Sequence, residues 1–243
     1  MSAAAAKRRP GLNADPFIRD EKIPPLRAGD HLTLKEFLRR WENEPNIKYA
    51  ELIGGVVYIP SPLGIDHGDM HYDLATWLGD YSRSTPGTKG SISPSTIMGK
   101  GSPQPDLLLR ILPENQGATG RDGKFLSGPP ELILEVCASS AAYDLHEKLK
   151  LYQAQGVREY IAVLVFEEEV RWHQLKGKKY RLLHSDDEGI YRSQIFPGLW
   201  LAWRALFEAD KTPLTTILQQ GLASPEHQAF VEKLAQRKKE LGS

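Results

Sequence analysis

Among 243 residues there is one cysteine, Cys137. A lone thiol excludes an internal disulfide framework and any cysteine-based zinc cage. An excess of charge of one sign is also missing, because 31 Lys plus Arg balance 31 Asp plus Glu. That removes the simplest argument for a nucleic-acid partner, a global basic excess, and leaves only a local basic patch to supply one. No apolar run approaches the length that spans a bilayer. The opening residues, MSAAAAKRRP, lack the apolar segment of a secretory signal. The expectation is a soluble, cytoplasmic protein with no membrane partner.

What is present is enough apolar sequence, 40% of the chain, for one sizeable core. Residues 1–28, with four prolines and scattered charge, read as a flexible N-terminal arm. In TLKEFLRRWE, Thr33 and Glu36 have capping-box spacing ahead of an apolar face of Leu34, Phe37, Leu38 and Trp41. Two β-prone runs then flank Gly54-Gly55, a hairpin signal. Met70, Leu74, Trp77, Leu78 and Tyr81 fall at helical spacing.

PDLLLRIL and ELILEVCA read as buried strands separated by a loop over 113–130, and a helix from about Asp144 stops at Gly156. EYIAVLVF is a third apolar strand, and a charged antiparallel meander follows it. Two helical patterns close the chain from about Thr212, the second opening on Ser224-Pro225. Strand–helix–strand over 131–166 implies a parallel crossover in a covered sheet. The fold class is therefore α/β, a central mixed sheet flanked by helices. The main domain spans 29–208 and the C-terminal helical extension 209–243.

Alternation along ELILEVCA puts Leu132, Leu134 and Val136 on one face and Ile133, Glu135 and Cys137 on the other. With both faces covered, the Glu135 carboxylate needs a partner or a proton. The plainer reading is an edge strand with Glu135 in water, or one salt bridge to a core lysine. Asp106 follows Pro105 at the entrance of the preceding strand, which alone is an ordinary turn device. If the two strands are neighbours, however, two carboxylates rise from the sheet together and call for a cation. Oxygen ligands select a hard ion such as magnesium. On the next helix Lys148 lies four residues from Asp144, either as a solvated ion pair or as a lysine turned toward the carboxylates, where it can orient a water.

The stretches YAELIGGVVYIPSP, HGDMHYDLATWL, QPDLLL, ELILEVCASS, DLHEKLKLYQAQGVREY and FPGLWL, in this order, resemble a family of small bacterial restriction endonucleases within the PD-(D/E)XK nuclease superfamily. The likeness covers about residues 33–205. It implies a restriction-endonuclease-like fold and a magnesium-dependent phosphodiesterase site. Position by position, Asp106 matches the superfamily's aspartate, Glu135 its second acid, and Glu51 a further acidic position. The plainer reading of Glu51 is a strand glutamate facing solvent. His67 matches a polar position on the second helix, where it could line the cleft and touch the scissile phosphate. His67 and His71 are four apart but lack the glutamate of a zinc-protease motif, so paired core or rim histidines are the plainer reading. Two positions depart from the pattern. Cys137 stands where the superfamily's lysine usually stands, which leaves Lys148 to substitute for it in space. The hairpin also lacks an acid after its turn.

The resemblance points to a metal-dependent endonuclease acting on DNA, with Asp106, Glu135 and Glu51 holding Mg2+ (Mn2+ substituting) and Lys148 positioning water. Two alternatives stay open: a nuclease fold with a degraded site that serves as a binding or assembly module, and a hydrolase of small nucleotides. A symmetric homodimer is the default for cutting both strands. The apolar stripe of the C-terminal helices offers either its interface or a docking face on the same subunit.

Overall fold

The apolar runs of the sequence become the middle of a six-stranded mixed sheet. The computed structural model describes residues 20, 22–60, 62, 64–138 and 144–242. Helix α1 (Leu34–Glu42) starts behind Thr33, whose hydroxyl accepts the Glu36 N–H at 3.3 Å. Strands β1 (Glu51–Ile53) and β2 (Val56–Tyr58) pair antiparallel around Gly54 and Gly55. Both glycines adopt positive φ, 60° and 84°, which the tight turn requires. Helix α2 (Ile65–Ser84) follows, then β3 (Thr88–Ile92), β4 (Thr96–Ile97) and β5 (Leu107–Ile111).

The segment expected to be a loop over 113–130 contains more order than its composition suggested. A 3-10 turn at Pro113–Asn115 is followed by β6 (Gly120–Asp122) and β7 (Phe125–Ser127), which form a hairpin. Strand β7 also runs parallel to β4, giving a small three-stranded sheet. The strands are two or three residues long, too short for alternation to declare itself.

Strand β8 (Leu132–Cys137) is joined to β9 (Glu159–Leu164) through a π-helical turn at Asp144–Lys148 and helix α3 (Leu149–Gln155). Gly156, at φ 86°, caps α3 in the left-handed conformation. β8 and β9 are parallel, as a helical crossover demands. Strands β10 (Glu169–Lys176) and β11 (Lys179–Leu183) make the antiparallel meander, and the central order is β11-β10-β9-β8-β5-β3. A last pair, β12 (Ile190–Arg192) and β13 (Trp200–Ala202), leads into α4 (Thr212–Leu222) and α5 (Pro225–Gly242).

Two cores cover the sheet. On one face Leu132, Leu134 and Val136 pack with Met70, Leu74 and Trp77 of α2 and with Leu214, Leu218, Phe230 and Leu234 of the C-terminal helices. The stripe of α4 and α5 is thus spent on its own subunit, and the dimer expected from it loses that support. On the other face Ile133 and Cys137 meet Leu108, Tyr152, Val157 and Tyr160. Most of the arm expected over 1–28 lies outside the described residues. Its described end is anchored, with Leu26 buried beside Phe37, Leu52 and Val57 in a third small core. Among the described residues no helix is long and apolar enough to cross a membrane.

Candidate active site

Strands β5 and β8 pair antiparallel with Leu107 opposite Leu134. Continuing that register by one step sets Asp106 across from Glu135. The two residues clasp each other's strand: the Asp106 N–H donates to Glu135 Oε2 at 3.3 Å, and the Val136 N–H donates to Asp106 Oδ2 at 2.7 Å. β8 lies between β5 and β9, so the edge-strand reading of Glu135 does not hold. Its side chain is 2% exposed.

A carboxylate buried to this degree needs compensation, and the crossover helix supplies it. Lys148 closes the π turn and is 5% exposed. Its Nζ lies 3.1 Å from Glu135 Oε1 and 3.2 Å from Glu51 Oε1, so one amine bridges two carboxylates. One turn on, the Tyr152 hydroxyl donates to the same Glu135 Oε1 at 2.7 Å. Burial first, and then the charges of Glu135 and Glu51, push the Tyr152 phenol well above its ordinary pKa. It therefore stays a donor. The solvated Asp144–Lys148 pair is set aside by the burial of Lys148, and the Asp144 side chain lies outside the described residues. Wide π turns of this kind recur where a helix carries a functional side chain.

Glu51 is also buried, against the plainer expectation of a solvent-facing strand residue. Its strand is stitched to the segment before Asp106 by a pair of backbone bonds between Leu52 and Ser102. The Gln104 N–H then donates to Glu51 Oε1 at 2.7 Å, while the Gln104 side chain accepts the Ala50 N–H at 3.0 Å. Three residues are too few for alternation to assign a face, so this burial was not legible in the sequence.

On the far side of Asp106, helix α2 presents two imidazoles. His67 is 6% exposed, and its Nε2 lies 3.6 Å from Asp106 Oδ1, beyond hydrogen-bond length. That nitrogen has no hydrogen-bond partner among the described residues. His71 Nε2 sits 3.2 Å from the Asp106 carbonyl oxygen. Burial raises the Asp106 pKa, but the His67 imidazole, the Val136 N–H and the Lys148 charge outweigh it and hold the carboxyl below its ordinary value. Asp106 is an anion at neutral pH.

Glu51, Asp106, Glu135 and Lys148, separated by up to 97 positions in the chain, therefore meet in one connected cluster, with His67 at its margin. Cys137, at the place of the superfamily's usual lysine, is buried in the second core, and Lys148 reaches Glu135 from the helix instead. Tyr152 and His71 belong to the same neighbourhood. Tyr152 was not singled out in the sequence, although its spacing of four from Lys148 was a usable signal.

A family model described as "Uma2: Putative restriction endonuclease" matches residues 34–204, from the start of α1 to just past β13. The chain belongs to this family. The Uma2 match makes it a member of a nuclease family and takes in every residue of the cluster, leaving α4 and α5 outside. The fold is shared with a solved structure described as a putative nuclease belonging to DUF820 from Anabaena variabilis. The two align at TM-score 0.54 with 13% identity, over 77% of this chain and 99% of that one. No curated protein matches the chain.

Proposed function

We propose that this protein is a cytoplasmic, metal-dependent endonuclease that hydrolyses phosphodiester bonds in DNA. The observation that carries the reading is the buried cluster in which Asp106 and Glu135 stand side by side on β5 and β8, with Lys148 against the second of them. The donors suit a hard divalent ion: Asp106 is held anionic, and carboxylate oxygens are what magnesium selects. Asp106 and Glu135, with Glu51 beside them, would hold Mg2+, for which Mn2+ would substitute. When bound, such an ion supplies Lewis acidity at the phosphoryl oxygen and lowers the pKa of a water.

The chain's own groups do the rest. Lys148 and Tyr152 fix Glu135 Oε1 and so set the direction of the carboxylate plane. The Val136 amide does the same for Asp106. The Lys148 amine places positive charge where an attacking water and a phosphate would meet. His67, beside Asp106 on α2, would face the phosphate.

One observation favours a second reading, that of a binding module with a silent site. The Lys148 amine is engaged by both Glu51 and Glu135, which offsets part of the cluster's negative charge without an added ion. Nicking of supercoiled plasmid with Mg2+ or Mn2+ separates the two. Asp106→Asn and Glu135→Gln should each lower the rate by about a hundredfold or more. Equal nicking by all three proteins would rule out this active site, and a silent wild type that takes up no metal by calorimetry would favour the module.

A further inference from the structure

One polar atom in this region is left unsatisfied. His67 Nε2 is buried, has no hydrogen-bond partner among the described residues and lies 3.6 Å from Asp106 Oδ1. An orphaned buried ring nitrogen is costly, and some unsatisfied group must meet it when the protein works. Four residues along the same helix, His71 rests against the Asp106 backbone carbonyl, a contact of the kind that fixes ring orientation in metal-bound histidines. The two rings are 5.8 Å apart, centre to centre, and steeply inclined. One ligand atom from each of His67, His71 and Asp106 lies within 4.8 Å of the others.

We infer that His67, His71 and Asp106 form a second cation site, selective for a first-row transition ion such as Mn2+, Co2+, Ni2+ or Zn2+ over Mg2+. Imidazole nitrogens are borderline ligands that magnesium avoids and these ions accept. Spacing of four on α2 brings both rings to one side of the helix, and the antiparallel register of β5 and β8 delivers the carboxylate to them. Three protein ligands leave coordination positions for water or a phosphate oxygen. Asp106 then faces two ways, toward the oxygen ligands Glu135 and Glu51 and toward the imidazoles. The inference deepens the nuclease reading because it shares Asp106 with it. It concerns which ions the protein takes, and it can fail separately.

Titrating Co2+ into the full-length protein, with excess Mg2+ present throughout, tests it. The visible d–d absorption reads binding and nitrogen ligation without reference to activity. The wild type should take up one Co2+ that Mg2+ does not displace. His71→Ala should weaken that binding by about tenfold or more, while Glu135→Gln leaves it nearly unchanged. His71 is only half-buried, so its variant should fold and show an unaltered thermal transition even if His67→Ala does not. No Co2+ uptake, equal uptake by His71→Ala and wild type, or uptake lost with Glu135→Gln would each overturn the imidazole site. In all three cases the plasmid assay with Mg2+ still decides the nuclease reading on its own.

Discussion

The two faces of β8 differ in what they bury. On one, Leu132, Leu134 and Val136 belong to a large apolar core with residues of α2 and the C-terminal helices. On the other, Glu135 sits between Ile133 and Cys137 and is held by a lysine and a tyrosine. A shift of one residue along the strand changes the environment from dry packing to a charged network. The first face therefore secures the position of the strand that the second face uses. A second contrast runs along the same sheet. Glu159, at the start of β9, is as buried as Glu135 but is met by neutral donors, among them the Ser193 hydroxyl at 2.6 Å and the Gln194 N–H at 2.7 Å. Burial pushes its carboxyl up to about 7, against 4.5 in water. Whether a buried carboxylate can serve as an anion depends on whether a cation comes with it.

The contrast is broken most severely by removing that cation. Lys148→Met leaves Glu51 and Glu135 buried without their shared amine, and by analogy with other broken buried pairs should cost about 3–5 kcal/mol in urea unfolding. Adding Glu135→Gln should recover part of the loss, and strict additivity of the two changes would show that the amine and carboxylate are not coupled. Next, Leu134→Ala on the dry face should cost about 2–5 kcal/mol through the cavity it opens. Plasmid nicking per folded molecule should stay near wild type, and a large drop there would mean that the two faces do not divide the work.

The third test concerns Glu159. Its folded pKa of about 7 lies above the 4.5 of the unfolded chain, so the contribution is complete below about 4.5 and disappears as pH rises through about 7. Over that window the wild type should lose on the order of 3 kcal/mol relative to Glu159→Gln. Unfolding curves at a series of pH values check this, and parallel profiles for the two proteins would remove the distinction between Glu135 and Glu159.

The mixed sheet and its parallel crossover were legible because β8, β9 and β5 are long enough for apolar runs to declare themselves, whereas the strand order was not. The same alternation assigned Glu135 to the face opposite Leu134, as observed. Its neighbourhood with Asp106 depended on strand pairing, which a sequence expresses only indirectly. The burial of Glu51 was hidden by the brevity of β1, and the β6–β7 hairpin by two three-residue strands. The π turn that brings Lys148 inward has no compositional signature. Glu159 passed as the polar first residue of an apolar strand, because its partners lie 34 and 35 positions away.

The clasp between Asp106 and Glu135 also has a bearing on folding fidelity. Each carboxylate accepts an amide from the other's strand, so both bonds exist only when Leu107 faces Leu134. A slip of one residue would turn every side chain of β5 to the wrong face and would leave the buried Glu135 and the partly buried Asp106 without these bonds at once. An apolar pair at these positions would tolerate such a slip far better. The two carboxyl groups would thus act as a checkpoint on how the chain is threaded, because the bonds they accept exist only in the aligned sheet.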